Sequence, residues 1–301
     1  MMSAEVELLL KADEVCASCG ISGVDDTELK TCACKLVRYC SVKCQKEHRA
    51  QHKHACKKRT AELHDEILFR KPEVTHRGEC PICMLPLHYD VDNSSISPCC
   101  SKMLCDGCVH ANHLREARQG LRNSCPFCRQ PTPATQAASD LVVMKRMEAN
   151  DPVAIREVGL KYFVRYKNYS KALEYWNKAA GLGDVEAHYL LSNMYATGEG
   201  VVKDEKEAVR HSEVAAIAGH PRARYNLAVV DVQHGRFERA EKHLVIAASH
   251  GYEGSLDYLK TEFKNGFVGK EMFEAALCGY QAAIEATKSP QRKAAAEAEH
   301  L

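Results

Sequence analysis

The placement of cysteine constrains this chain more than any other feature. The sequence of 301 residues contains 16 cysteines, and 15 of them lie between Cys16 and Cys128. Disulfides need an oxidising compartment. The first residues lack the basic region and apolar core of a signal peptide, and no apolar run approaches the roughly 18 residues of a membrane span. We therefore expect an intracellular protein, cytoplasmic or nuclear and not secreted, whose cysteines bind metal.

The spacing of these cysteines favours zinc, which takes four Cys or His ligands that tend to come in closely spaced pairs. A first block supplies eight candidate ligands: Cys16, Cys19, Cys32, Cys34, Cys40, Cys44, His52 and Cys56. A second block supplies eight more: Cys80, Cys83, Cys99, Cys100, Cys105, Cys108, Cys125 and Cys128. We predict about four structural zinc ions, in closed sites without an open position for catalytic water. One or two of the cysteines could instead be small buried hydrophobic residues.

The first block resembles the MYND zinc finger, on the run Cys40-Ser41-Val42-Lys43-Cys44-Gln45 followed by His52 and Cys56. The resemblance implies interleaved ligands, with one zinc held by Cys16, Cys19, Cys40 and Cys44 and the other by Cys32, Cys34, His52 and Cys56. It also implies binding of proline-containing peptides near Gln45. Arg49 stands where the family usually has a tryptophan, which counts against peptide binding.

Residues 35–59 carry nine lysines and arginines against a single acidic residue, Glu47. Such a patch can bind acidic partners or nucleic acid, or it can be a solvated helix face. We favour the solvated face, because no series of aromatic residues for base stacking accompanies the charges. The formal net charge of +1 also argues against bulk binding to nucleic acid or membrane. We therefore expect neither nucleic acid nor a membrane as a partner.

The second block opens with Cys80-Pro81-Ile82-Cys83 and closes with Cys125-Pro126-Phe127-Cys128-Arg129. It resembles an all-cysteine RING finger. The resemblance implies one zinc at Cys80, Cys83, Cys105 and Cys108 and another at Cys99, Cys100, Cys125 and Cys128. Adjacent cysteines stand where the family has Cys-x-His, so His110 or His113 is the alternative fourth ligand.

The usual activity of RING fingers is ubiquitin ligation, in which the finger orients a charged ubiquitin-conjugating enzyme and supplies no catalytic nucleophile. By resemblance, Ile82 and Pro126 contact the conjugating enzyme, and Arg129 bridges that enzyme and ubiquitin. The alternative is that Ile82 and Pro126 pack around zinc and that Arg129 is an exposed charge. The chain would then be a non-catalytic scaffold.

Residues 151–287 repeat a pattern that begins with Asp151-Pro152-Val153-Ala154 and returns after 33, 36 and 32 residues. Three units end in paired alanines followed by Gly183, Gly219 or Gly251. Each unit contains two stretches with helical spacing. The pattern resembles Sel-one-like repeats, relatives of the tetratricopeptide repeat, which implies stacked helix pairs and a concave protein-binding surface. We expect Trp176 and Leu227 in the core and Cys278 buried in a helix.

We thus predict a mostly α chain, with two small zinc-stapled cross-brace modules followed by an α-helical repeat solenoid. The predicted parts are a leader (1–15), a MYND-like finger (16–56), a linker helix (57–77), a RING-like finger (78–133), a linker (134–150), the repeats (151–287) and a polar tail (288–301). We expect the tail to be frayed, or helical without packing. The leading hypothesis is a ubiquitin ligase or ligase adaptor whose partners are a conjugating enzyme and an unknown substrate. A methyltransferase is disfavoured, because no glycine-rich cofactor loop is present.

Overall fold

The fold was described from a computed structural model, which covers residues 15–21, 29–89 and 93–299. These residues form twelve α-helices and two short antiparallel hairpins, which confirms the mostly α fold with a cysteine-rich zinc region ahead of helical repeats. The chain divides into two compact units, one ending at Arg70 and one beginning at Lys71. Among the described helices, none has the length and apolar character needed to cross a membrane.

The first unit consists of a hairpin and one long helix. Strand β1 (Lys30–Thr31) pairs with β2 (Arg38–Tyr39), and α1 (Val42–Leu68) follows. The Ser41 hydroxyl caps α1 by accepting a hydrogen bond from the Cys44 amide at 3.2 Å. No glycine or proline interrupts residues 42–68, so α1 continues through the first part of the expected linker helix, and residues 69–77 are not helical.

The interior of the first unit is made largely of metal-ligand candidates. Its buried cluster contains Tyr39 and four cysteines, Cys16, Cys32, Cys34 and Cys44. Along the 27 residues of α1 only Cys44, His52 and Leu68 are buried. An interior this small cannot offset the entropy of ordering the chain, so this unit needs bound metal to fold.

The second unit begins with the other cysteine block. Strands β3 (Ser94–Ile96) and β4 (Met103–Cys105) form a hairpin, and α2 (Asp106–Arg118) starts directly after it. The buried Glu116 carboxylate accepts a hydrogen bond from the Ser124 amide at 3.1 Å. That bond fixes the end of α2 to the loop that leads into Cys125.

Nine helices follow in an antiparallel series: α3 (Gln136–Glu148), α4 (Pro152–Val164), α5 (Tyr169–Gly181), α6 (Val185–Thr197), α7 (Glu205–Ile217), α8 (Pro221–Gln233), α9 (Phe237–Ala248), α10 (Glu253–Lys264) and α11 (Lys270–Ala286). Helices α4 to α11 form four pairs, and each pair packs on the next. Helix α3 packs on α4. The four helix pairs span residues 152–286.

The structure explains why the opening pattern of each repeat recurs. Asp151 and Asp184 accept hydrogen bonds from backbone amides at the start of α4 and α6, and His220 does the same for α8 through Nδ1. The small residue at the fourth position of each pattern is buried where helices approach closely: Ala154, Ala187, Ala223 and Ser255. The closing glycines have φ of 91°, 87° and 85° at Gly183, Gly219 and Gly251, which confirms left-handed caps.

The two core residues expected in the repeats are buried, whereas Cys278 is not. Trp176 is 1% exposed, its indole donates to the Arg156 carbonyl at 3.2 Å, and Leu227 is 5% exposed. Cys278 lies on an exposed face of α11. The prediction for Cys278 was wrong because α11 buries only Ala276 among its residues.

A twelfth helix, α12 (Pro290–Glu299), occupies most of the expected polar tail. It packs against α2 of the second cysteine block, and its Ala295 is 5% exposed. We expected this segment to lack packing. Its alanine-rich composition instead allows a close approach to α2, far away in sequence.

Candidate metal centres

The first candidate centre contains Cys16, Cys19, Cys40 and Cys44, whose sulfurs all lie within 4.8 Å of one another. The Sγ of Cys40 is 3.5 Å from that of Cys19 and 3.6 Å from that of Cys44. The residues come from a loop, the end of the β1–β2 hairpin and the first turn of α1. Three separate segments therefore converge on this centre.

The second candidate centre contains Cys32, Cys34, His52 and Cys56. The Sγ of Cys32 and Cys56 are 3.6 Å apart, and His52 Nε2 lies 3.1 Å from Cys34 Sγ. His52 and Cys56 are four residues apart on one face of α1. Burial lowers the pKa of His52, which favours the neutral imidazole that a metal requires.

The third and fourth candidate centres lie in the second unit and contain cysteine only. Cys80, Cys83, Cys105 and Cys108 form one, with 3.8 Å between the sulfurs of Cys83 and Cys105. Cys99, Cys100, Cys125 and Cys128 form the other. Adjacent Cys99 and Cys100 both face it, at 3.3 Å from Cys128 Sγ and 3.9 Å from Cys125 Sγ, respectively. Neither His110 nor His113 joins any of the ligand groups found among the described residues.

Several of the cysteine pairs sit in the same kind of tight turn. The residue after the pair has positive φ, and its amide donates to the carbonyl of the first cysteine. The amide of Gly20 donates to the Cys16 carbonyl, that of Met84 to the Cys80 carbonyl and that of Arg129 to the Cys125 carbonyl, each at 2.9 Å. This turn points both thiols of a pair toward the same side, which a metal centre requires.

Within each four-cysteine set, one thiol ionises more readily than an ordinary cysteine. Burial opposes ionisation, but hydrogen bonds from backbone amides outweigh it and lower the pKa of Cys16 to about 6, of Cys80 to about 7 and of Cys125 to about 6. Hydrogen bonds with neighbouring thiols raise the pKa of Cys40 to about 12. Thiols this close cannot all ionise without a cation, so metal binding would displace protons from these sets.

The residues fit zinc in chemistry and in spacing. Tetrahedral zinc with Zn–S bonds of about 2.3 Å needs sulfurs about 3.8 Å apart. The closest sulfur–sulfur distances within the sets run from 3.3 to 3.9 Å, and all 16 cysteines are free thiols. The chain therefore has sites for about four structural zinc ions, each with four soft or borderline ligands and no open position.

The residues that the RING resemblance singled out lie near the surface of the third and fourth centres. Ile82 is 40% exposed, Pro126 is half-buried and Arg129 is exposed. Sequence reasoning missed four further exposed apolar side chains of this block: Met84 after the first ligand pair, Leu114 on α2, and Leu121 and Phe127 after α2. Phe127 could have been found from its place between the last two ligands.

A fifth group, His76, Glu186 and His220, was not anticipated from sequence. Glu186 Oε2 lies 3.1 Å from His76 Nε2 and 3.4 Å from His220 Nε2, and the two imidazoles stack at 4.2 Å. His220 Nδ1 already accepts the Ala223 amide, so its Nε2 holds the proton and donates to Glu186. Burial lowers the pKa of His76 to about 4. This group is therefore a hydrogen-bonded clamp on the segment before Cys80 rather than a metal centre.

Comparison with known families identifies two parts of the chain. Residues 16–56 match the family model described as MYND finger, and residues 157–184 and 185–220 match the Sel1 repeat. The matching family models do not include a RING finger, so that resemblance rests on spacing and geometry. No curated protein matches the chain. The chain thus contains a MYND finger and Sel1 repeats, modules of protein interaction.

Solved structures similar to the chain include three bacterial proteins. A Sel1 repeat protein from Oxalobacter formigenes is 24% identical, with a TM-score of 0.44 over 59% of this chain and 71% of that one. An antigen with an SLR fold from uropathogenic Escherichia coli is 16% identical, with a TM-score of 0.35 over 63% and 50%. An immunity protein from Pseudomonas aeruginosa is 15% identical, with a TM-score of 0.31 over 67% and 88%. These low scores carry no functional conclusion.

Proposed function

We propose that this protein is a RING-type ubiquitin ligase or ligase adaptor, acting in a reducing intracellular compartment. The second cysteine block would recruit a charged ubiquitin-conjugating enzyme, and the Sel1 repeats would hold the protein to be modified. Zinc would be held by the four ligand sets described above, within the domain limits expected from the sequence. The supporting observation is the exposure of Ile82, Phe127 and Arg129 beside two cross-braced four-cysteine sets.

Exposed apolar residues at these positions need an explanation, because a module with so little interior would be expected to bury them. Ile82 and Phe127 each lie between the two cysteines of a ligand pair, and the turn holds them outward. Their neighbours on the zinc side are fixed by the metal, so a partner would meet a rigid apolar surface. A rigid surface loses little conformational entropy on binding. Arg129 adds a charge at the edge of this surface.

The chemical role of such a module is to orient, since its thiols would be bound to zinc and would not act as nucleophiles. Holding the conjugating enzyme and its thioester-linked ubiquitin in one pose raises the rate of attack by an acceptor lysine. The attacking amine and the leaving thiolate belong to the acceptor and the conjugating enzyme. The repeats would hold the acceptor protein close to the thioester.

The test is discharge of ubiquitin from a panel of charged conjugating enzymes, with the zinc-loaded full chain added. Ile82→Ala and Arg129→Ala should each reduce the discharge rate by about 10-fold or more, corresponding to roughly 1.4 kcal/mol. Matched controls are Val202→Ala and Arg165→Ala, which remove exposed side chains of the same types from the repeats. A chain that retains all four zinc ions and is inactive with every conjugating enzyme would contradict the proposal.

The second candidate is a non-catalytic scaffold, which the MYND finger and the Sel1 repeats by themselves favour. It predicts protein partners in a pull-down and no ubiquitin transfer. It also predicts that Ile82→Ala leaves those partners bound. The same discharge experiment therefore separates the two functions.

A further inference from the structure

The C-terminal helix α12 makes an unusually close contact with the second cysteine block. A Cβ added to Gly107, in the first turn of α2, would lie 2.7 Å from the Arg292 amide nitrogen. Only glycine leaves room for the α12 backbone at this point. The neighbouring Ala295 is buried in the same contact region. Helix α12 is therefore seated directly over the residue that precedes the ligand Cys108.

Arg292 extends this contact to the loop that contains the ligand Cys83. Its Nη1 donates to the Pro86 carbonyl at 2.7 Å, and its Nη2 donates to the Leu85 carbonyl at 3.2 Å. The same Nη2 lies 3.5 Å from Cys83 Sγ, within the range of a hydrogen bond to sulfur. The guanidinium also interacts with the thiol of Cys105, and that interaction favours its charged form. One side chain thus meets two of the four ligands of the third centre.

The negative charge of the third centre explains why a cation at this place is stabilising. Four thiolates and one zinc dication carry a formal charge of about −2. Three of the four cysteines, Cys80, Cys105 and Cys108, are buried, so water compensates this charge only in part. A guanidinium that donates hydrogen bonds to the thiolates lowers the electrostatic cost of burying this negative charge. It also holds the ligand loop in position.

We propose that Arg292 is a positioning residue of the zinc centre formed by Cys80, Cys83, Cys105 and Cys108, and that docking of α12 and zinc retention there stabilise each other. Arg292 needs the ordered loop and the thiolates in order to bind, and the thiolates gain a cation when α12 docks. By linkage, loss of either partner weakens the other to the same extent. The proposal concerns metal retention and does not depend on ubiquitin transfer.

The first test measures how fast zinc leaves the full chain when a chromogenic chelator is added in excess. In Arg292→Ala, one of the four ions should leave roughly 10- to 100-fold faster, and the other three should leave as in the wild type. In Arg292→Lys, which keeps the positive charge and loses the planar fork, this ion should leave at a rate between those of Arg292→Ala and the wild type. The matched control is Lys293→Ala, because Lys293 is the next residue of α12 and its ion-pair partner is the exposed Glu297. Release curves of Arg292→Ala and wild type that superimpose would overturn the role of Arg292.

The affected ion can be assigned by cadmium substitution and ¹¹³Cd NMR, in which each of the four centres gives its own signal. Arg292→Ala should shift a single signal, the one that also disappears in Cys80→Ser. A shift at the fourth centre instead would place the effect of Arg292 elsewhere and overturn the assignment.

The reciprocal test measures hydrogen exchange of residues 290–299. Cys80→Ser should reduce the protection of α12, whereas Cys16→Ser, which alters the first unit, should leave it unchanged. Peptides from α8 and α9 report whether the repeats remain folded. Unchanged protection of α12 in Cys80→Ser, with zinc lost from the third centre, would overturn the coupling.

Discussion

Arg129 carries both a backbone requirement and a proposed contact with the conjugating enzyme. Its φ is 65°, because the turn that presents Cys125 and Cys128 needs a left-handed residue at the next position. That conformation costs a residue with a Cβ roughly 1 kcal/mol relative to glycine. The equivalent turn after Cys16 and Cys19 has Gly20 at this position. The equivalent turn after Cys80 and Cys83 has Met84 at this position, so the turn accepts a side chain, and the contact proposed for the Arg129 side chain needs a test of its own.

The two roles of Arg129 can be separated by comparing Arg129→Gly with Arg129→Ala. The free energy of unfolding of the glycine variant should exceed that of the alanine variant by about 1 kcal/mol, because glycine adopts positive φ without strain. Both variants should lose ubiquitin discharge equally, because both lack the guanidinium. Chemical unfolding of zinc-loaded protein measures the first effect and the discharge assay the second. Wild-type discharge by Arg129→Gly would assign Arg129 a purely structural role.

At the scale of the element, the sequence allowed the repeats to be predicted because their contacts are local. Capping residues, buried alanines and closing glycines recur at fixed spacing, and each acts within its own helix pair. The turns around the cysteine pairs are also local, which is why the candidate ligands could be proposed from spacing, whereas their grouping into four sets was implied by the resemblance to known fingers. Helix α12 could not be placed in this way. Arg292 and Cys83 are 209 residues apart, and no periodicity in the sequence connects them.

The caps of the repeats are expected to differ in importance. Asp184 accepts the Ala187 amide at 2.7 Å and lies 3.2 Å from the Nε of buried Arg156, whereas Asp204 caps α7 at an exposed site. Asp204→Ala should cost about 1 kcal/mol of unfolding free energy, the value of a lost cap. Asp184→Ala should cost about 3 kcal/mol or more, because it also removes a carboxylate from a buried cation.

Urea unfolding followed by the fluorescence of Trp176, the single tryptophan, measures the free energy of unfolding of both variants. Asp184→Asn serves as the control that retains the cap and removes the charge. Its free energy of unfolding should lie between those of the wild type and Asp184→Ala. Equal costs for Asp184→Ala and Asp204→Ala would show that the Arg156 ion pair adds nothing to the cap.

At the scale of the whole molecule, two sources of stability divide the chain. The first unit and the second cysteine block have small interiors built around ligand sets, whereas α4 to α11 bury apolar clusters of their own. The segment that leads into the second block is nevertheless hydrogen-bonded to the repeats. His76 Nε2 lies 3.1 Å from Glu186 Oε2, and His250 Nε2 lies 3.0 Å from the Pro72 carbonyl oxygen. The sequence predicted the division but not these bonds, since each joins segments more than 100 residues apart.

Removal of zinc tests that division directly. A strong chelator should unfold the two cysteine blocks and release α12, because their folding energy is the metal-binding energy. Helices α4 to α11 should persist, because their clusters contain no ligand of any centre. Far-ultraviolet circular dichroism should therefore keep most of its helical signal, and Trp176 should keep its buried emission. Chelator pre-saturated with zinc is the control, and added zinc should restore the lost signal. Loss of Trp176 burial together with zinc would mean that the bonds at His76 and His250 make the second block and the repeats one cooperative unit.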